Sequence, residues 1–158
     1  MADSSETYEI TEHEAADTVK DRFLTFSIGS EQYGIEITDV QTIIPMAAIT
    51  KIPENPDYVE GIINLRGDII GVLDIRKRFL KPPKAHDELT CIIVIESGGL
   101  TLGLIVDSVS EVITIEEDKI VPPPSAKLNS YNRFIRNIGN VEGGVKLLLD
   151  LEKLLARE

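Results

Sequence analysis

Apolar and polar positions alternate with a period of two where the ordered chain begins. Phe23, Thr25 and Ser27 alternate with Leu24, Phe26 and Ile28, and Gly29-Ser30 turns the chain into Tyr33–Ile37, a hairpin signal. Thr38-Asp39-Val40-Gln41 then has capping-box spacing and predicts a helix of barely two turns, ended by Pro45. Gly61–Leu65 and Asp68–Leu73 read as two strands around Arg66-Gly67, with Gly67 supplying a positive φ. Asp74 is placed to cap a short helix running to Lys81, before Pro82-Pro83.

The same series then recurs. Cys91–Val109 repeats Arg22–Val40 without a gap at an offset of 69 residues, placing Gly34 on Gly103, Ile37 on Val106 and Val40 on Val109. Ser108-Val109-Ser110-Glu111 repeats the capping spacing and predicts a second short helix. Asn64–Phe79 recurs from Asn140 at an offset of 76, with Glu142-Gly143-Gly144 as turn, Asp150 as cap and Leu151–Ala156 as the closing helix. Self-similarity of this kind sets the architecture. Each half reads as hairpin, short helix, strand, hairpin, short helix. The fold class is therefore all-β with short helices: two pseudo-symmetric, five-stranded small barrels sharing a hydrophobic seam. The folded unit spans 21–158, in successive or interleaved halves of approximately 21–88 and 89–158. Residues 1–20, acidic and without apolar periodicity, are expected to be a disordered tail.

Charge narrows the partners. Sixteen basic against 27 acidic residues in 158 leave −11, which opposes a phosphate backbone and an anionic membrane leaflet. No apolar run approaches the ~20 residues that span a bilayer, and the acidic residues 1–20 are not expected to act as a signal peptide. Cys91 stands alone, so no intrachain disulfide forms and a cytoplasmic location is expected.

Catalytic chemistry finds little to stand on. His13 and His86 fall in the tail and in a linker, and neither is held against a nucleophile. Cys91 opens an aliphatic strand and reads as a small hydrophobe. Gly98 and Gly103 have P-loop spacing, but Leu104-Ile105 stand where lysine and serine or threonine belong. Glu116-Glu117-Asp118 could suit a cation, yet Thr114 and Glu117 form a capping box with acids at a helix start. No catalytic residue, metal or cofactor is expected. The basic cluster Arg76, Lys77, Arg78, Lys81 and Lys84 is either a solvated helix face or a patch for an acidic partner. Arg66 has Glu142 as its counterpart, so the duplication kept the turn glycine and reversed the charge. Arg66 pairs locally with Asp68, Glu36 or Glu60, serves one specific surface, or does both.

The ordered combination of Tyr33-Gly34-Ile35-Glu36-Ile37, Val40-Gln41, Glu60-Gly61-Ile62-Ile63-Asn64-Leu65-Arg66-Gly67, Val72-Leu73-Asp74-Ile75-Arg76 and Gly103–Val109 resembles the CheW family of bacterial chemotaxis coupling proteins. The resemblance runs from Arg22 to about Ala156. It implies SH3-like barrels, no enzymatic activity, and a scaffold bridging the cytoplasmic tip of methyl-accepting chemoreceptors to the histidine kinase CheA. It also implies cytoplasmic residence with recruitment to receptor arrays, and a monomer in isolation. By the same resemblance the regulatory domain of CheA docks on Val40, Ile43, Ile44, Ile49 and Ile52. Receptor helices dock around Arg66, Ile92, Val109 and Val112, with Gly61, Gly67 and Gly103 as structural turns. Thr42 departs from the acid that many relatives carry there. From these 158 residues, CheA's phosphotransfer and ATP-binding domains and the receiver of a CheV-type protein are not expected. The alternatives are a coupling protein of pilus motility and, from another class, a small-molecule-binding barrel enzyme, which needs a pocket with converging polar groups.

Overall fold

The computed structural model describes residues 21–124 and 133–156; the tail expected at 1–20 lies outside them. Eleven strands and two short helices are present among the described residues: β1 Arg22–Ile28, β2 Glu31–Glu36, β3 Val40–Pro45, β4 Val59–Leu65, β5 Asp68–Asp74, α1 Ile75–Arg78, β6 Cys91–Ser97, β7 Leu100–Val106, β8 Ser108–Thr114, β9 Ile120–Val121, β10 Ile135–Val141, β11 Gly144–Leu149 and α2 Leu151–Leu155. They form two sheets, ordered β9-β10-β11-β2-β1-β8 and β3-β6-β7-β5-β4.

The sheets do not divide the chain at residue 88. The hairpin β1–β2 of the first half joins β8–β11 of the second, while β6–β7 of the second half joins β3–β5 of the first. Each barrel thus borrows the other half's hairpin, and the halves interleave. The registers obey the duplication throughout. Parallel pairing sets Gly34 opposite Leu148 and Gly103 opposite Val72. Antiparallel pairing sets Phe26 opposite Val109 and Ile95 opposite Val40. An isolated bridge from Thr50 to Ile62, beyond the end of β3, draws the edges of the five-stranded sheet together.

Ile, Val and Leu dominate the strands, as half-buried pleated surface favours. The main core joins both sheets: Leu24, Phe26, Tyr33 and Ile35 meet Leu73, Ile93, Ile95, Leu104 and Val106, with Phe79, Phe134 and Leu154 from the helical ends. Smaller clusters fill each barrel, one around Ile63, Val72, Ile92 and Ile105, the other around Phe23, Ile115 and Leu148.

The two helices predicted after the first hairpin of each half are strands. After a single 3-10 turn at Ile37–Asp39, the chain enters β3 with burial alternating residue by residue; Ser108–Thr114 is β8. The capping bonds are not made: no side chain caps the 3-10 turn, and Gln41 Nε2 donates instead to Glu96 Oε1 at 2.9 Å. A two-turn helix needs tertiary packing to offset its nucleation, and here Val40, Thr42, Ile43 and Ile44 are β-branched residues that fit a ladder with Ile92–Ile95 instead. The capping box at Thr114 likewise gives only a 3-10 turn, Glu117–Lys119, without a side-chain cap.

The helices after the second hairpins do form. Asp74 accepts from the Arg76 and Lys77 amides, and Asp150 from the Lys153 amide. α1 stops at Arg78, not Lys81. Leu80 takes a φ of 61°, with Leu80 N–H donating to Lys77 C=O and Lys81 N–H to Arg76 C=O, a Schellman closure built on leucine where glycine is usual.

Candidate docking surfaces

The residues expected to meet the kinase divide by burial. On β3, Ile43 is 41% exposed and Ile52, beyond it, is also exposed. Ile44 and Ile49 pack against the core of the first barrel, and Val40 against the main core. Among those expected to meet receptor, Val112 on β8 is 38% exposed, while Val109 packs against the main core. Ile92 corrects the expectation: it is 0% exposed, because its side chain packs into the cluster of Ile63, Val72 and Ile105. Its side chain supports a surface from behind and cannot touch a partner.

Two of the turn glycines are not in turns. Gly61 lies within β4 at a register shift, where a Cβ would stand 2.1 Å from the Thr50 carbonyl oxygen. Gly103 lies within β7, where a Cβ would stand 2.7 Å from Ile92 Cγ2. Only Gly67 serves a turn, at φ 90° with open space around it.

Arg66 shares that turn and has a φ of 55°. Two positive φ values in succession are the signature of a type I′ hairpin turn, in which arginine is an uncommon first residue. The Asn64 side-chain carbonyl accepts from Gly67 N–H at 2.9 Å and pins the loop. Arg66 is exposed and makes no ion pair among the described residues. Of its three candidate partners, Glu60 takes Lys77 at 2.7 Å and Lys51 at 3.7 Å, and Glu36 faces Arg136 at 3.9 Å. The counterpart turn Glu142-Gly143 has a positive φ only at the glycine. The charged tip of the first half is thus both strained and pinned, and it is open to solvent.

The basic cluster is satisfied from within. Arg76 donates to Asp107 at 2.9 and 2.6 Å, Lys77 pairs with Glu60, Lys81 with Glu31 at 2.6 Å and Lys84 with Asp87 at 2.9 Å. Arg78 is buried. Four cations with carboxylates in hand and one in the core do not make an open patch for an acidic partner. The Arg76 hydrogen bond, above all, holds the Asp107 carboxyl below its ordinary range, and the Gly29 amide at 2.7 Å helps. Burial pushes the Cys91 thiol up, against reactivity.

Sequence reasoning missed a further feature, legible once the offsets are applied to exposure. Ile43 and Val112 occupy equivalent positions on β3 and β8, each a terminal strand of its sheet. Ile69 and Val145, equivalent positions on β5 and β11, are 60% and 51% exposed. The duplication preserved exposed aliphatics as well as core ones. A cavity of about 490 Å³ opens beside Phe23, Glu36, Thr38, Arg136, Asn137 and Leu148. Its Arg136 is occupied by Glu36 and by Asp150 at 3.4 Å. Among the described residues no three metal-ligating side chains gather, and no helix is long and apolar enough to cross a membrane.

The geometry defines a class: an interlocked double β-barrel with matched apolar positions on one terminal strand of each sheet. Residues 22–158 match the family model of the CheW-like domain, and the chain belongs to that family. It is 35% identical to the chemotaxis protein CheW of Klebsiella aerogenes over 91% of this chain and 87% of that one. With the CheW of Bacillus subtilis it shares 30% identity over 87% and 88% of the two chains. The crystal structure of the scaffolding protein TtCheW from Thermoanaerobacter tengcongensis superposes with a TM-score of 0.81 at 38% identity, covering 87% of this chain and 94% of that one. The fold is accordingly the pair of small barrels that the repeat predicted, SH3-like as the resemblance implied.

Proposed function

We propose that this protein is a non-enzymatic scaffold of chemotaxis signalling that couples chemoreceptor tips to the regulatory domain of CheA. It resides in the cytoplasm and is gathered into receptor arrays. The observation that carries the reading is the equivalence of Ile43 and Val112, exposed aliphatics each on a terminal strand of its sheet, in two barrels that share one core. One ancestral surface present twice gives two docking faces at a fixed separation. The kinase takes the face of Ile43 and Ile52, and receptor takes Val112 together with the Arg66 tip. The similar chemotaxis proteins CheW, and the structurally similar scaffolding protein TtCheW, support the same reading.

An aliphatic contact of this kind is intolerant of an unpaired charge, which costs several kcal/mol once desolvated. Ile43→Asp should therefore weaken binding to a CheA regulatory fragment roughly a hundredfold or more while receptor binding survives. Val112→Asp should do the reverse. Titration of each folded variant against the two fragments separately checks this; equal losses for both partners would sink the two-face assignment.

A further inference from the structure

Backbone hydrogen bonds order each sheet internally, but β-ladders do not join the two sheets. Their mutual angle rests on the shared core, whose apolar contacts are non-directional, and on polar ties across the seam. One tie has no counterpart in the duplication. The 76-residue offset relates Tyr58 to Phe134 and Arg78 to Leu154, and the backbone agrees: Asp74 N–H donates to Tyr58 C=O and Asp150 N–H to Phe134 C=O, both at 2.8 Å. Where the second half has buried leucine, the first has an arginine only 7% exposed. Its guanidinium lies 4.2 Å from the Tyr58 ring centre and 4.6 Å from the Phe134 ring centre, between the two equivalent aromatics. Nε donates to Leu154 C=O at 2.9 Å, and Nη2 to Ala156 C=O at 2.8 Å and Lys153 C=O at 3.3 Å.

We propose that Arg78 is a positioning residue that locks the first half to the closing helix of the second, so that a bias imposed on one docking face reaches the other. This rests on the two-face reading above. The chemistry asks for arginine in particular. A planar fork can lie against two rings while donating in its plane to successive carbonyls of one helix end, and an ammonium cannot do both. A merely stabilising residue would change both binding reactions or neither; a positioning residue changes what passes between them.

The test uses the full chain with Arg78→Lys, which keeps the charge, and Arg78→Met, which keeps the volume. In the free protein, hydrogen exchange at the Leu154–Ala156 amides should quicken roughly tenfold or more in Arg78→Met. Affinities for separate CheA and receptor fragments should stay within roughly threefold of wild type, while receptor-dependent kinase activity of the three-component assembly falls roughly tenfold in both variants. Unchanged exchange in Arg78→Met would overturn the lock. Unchanged kinase control, or affinities that fall in step with activity, would overturn the positioning role. A wild-type chain that bridges neither partner would instead overturn the scaffold reading, and exchange would still decide whether Arg78 holds the helix.

Discussion

Arg66 sits in a left-handed conformation that a non-glycine residue occupies at a cost, and no local carboxylate offsets it. Arg66→Gly should accordingly raise unfolding free energy by about 0.5–1 kcal/mol while impairing receptor binding, so stability and function move in opposite directions. Urea denaturation beside a receptor titration reads both; a loss of stability would make the side chain a support of the turn. Asp107 is the opposite kind of residue, engaged on every side by Arg76 and Gly29. Its carboxyl is held below the ordinary 3.8, chiefly by Arg76. A lowered folded value means the stabilisation is complete above the unfolded value and fades as pH falls through the folded one. Asp107→Asn should therefore cost about 1–3 kcal/mol at neutral pH, with the gap to wild type closing below about pH 4. A gap independent of pH would show that the ionised carboxylate is not what matters.

Elements as short as α1 and α2 stand on their caps. Burial raises the pKa of Asp74 against the opposing amide hydrogen bonds of Lys77 and Arg76, so its charge is a burden and its acceptor oxygen the useful part. Asp74→Asn should stay within ~0.5 kcal/mol of wild type, whereas Asp74→Ala should lose about 1 kcal/mol. Thermal unfolding compares the two; equal losses would mean the charge itself holds the helix. The contrast with Thr38–Gln41 explains why one predicted helix formed and another did not. Both have capping residues, but Ile75 and Phe79 are fully buried and anchor α1 in the main core. Val40–Ile44 finds its partner in the neighbouring strand β6. Capping spacing marks where a helix could begin, and tertiary contacts decide whether it continues.

For the molecule as a whole, interleaving means that neither half has a complete sheet. Fragments 21–88 and 89–158 should each lack a cooperative unfolding transition and regain one when mixed, because β1–β2 needs β8 and β11, and β6–β7 needs β3 and β5. Calorimetry of the separate and mixed fragments checks this; a cooperative transition in one fragment would mean that a barrel closes within its own half.

By itself the sequence determined the duplication, its two offsets, the hairpins and the caps at Asp74 and Asp150, since these rest on local period, turn chemistry and spacing. It could not determine which hairpin completes which barrel. Both halves carry the same alternation, so pairing within a half and exchange between halves are equally consistent with the pattern, and only the shared core separates them. Nor could it sort the aliphatics. Val40 to Ile44 is almost continuously β-branched, so a period of two assigns Ile43 and Ile44 to opposite faces without saying which faces water. Ile92 and Val112 look alike in the chain and differ completely in exposure. The run Arg76-Lys77-Arg78 is the sharpest case: three neighbouring cations, of which two pair with surface-side carboxylates and one is buried between Tyr58 and Phe134. Charge is a property of the residue, but its neutralisation depends on groups tens of positions away, and only folding brings those together.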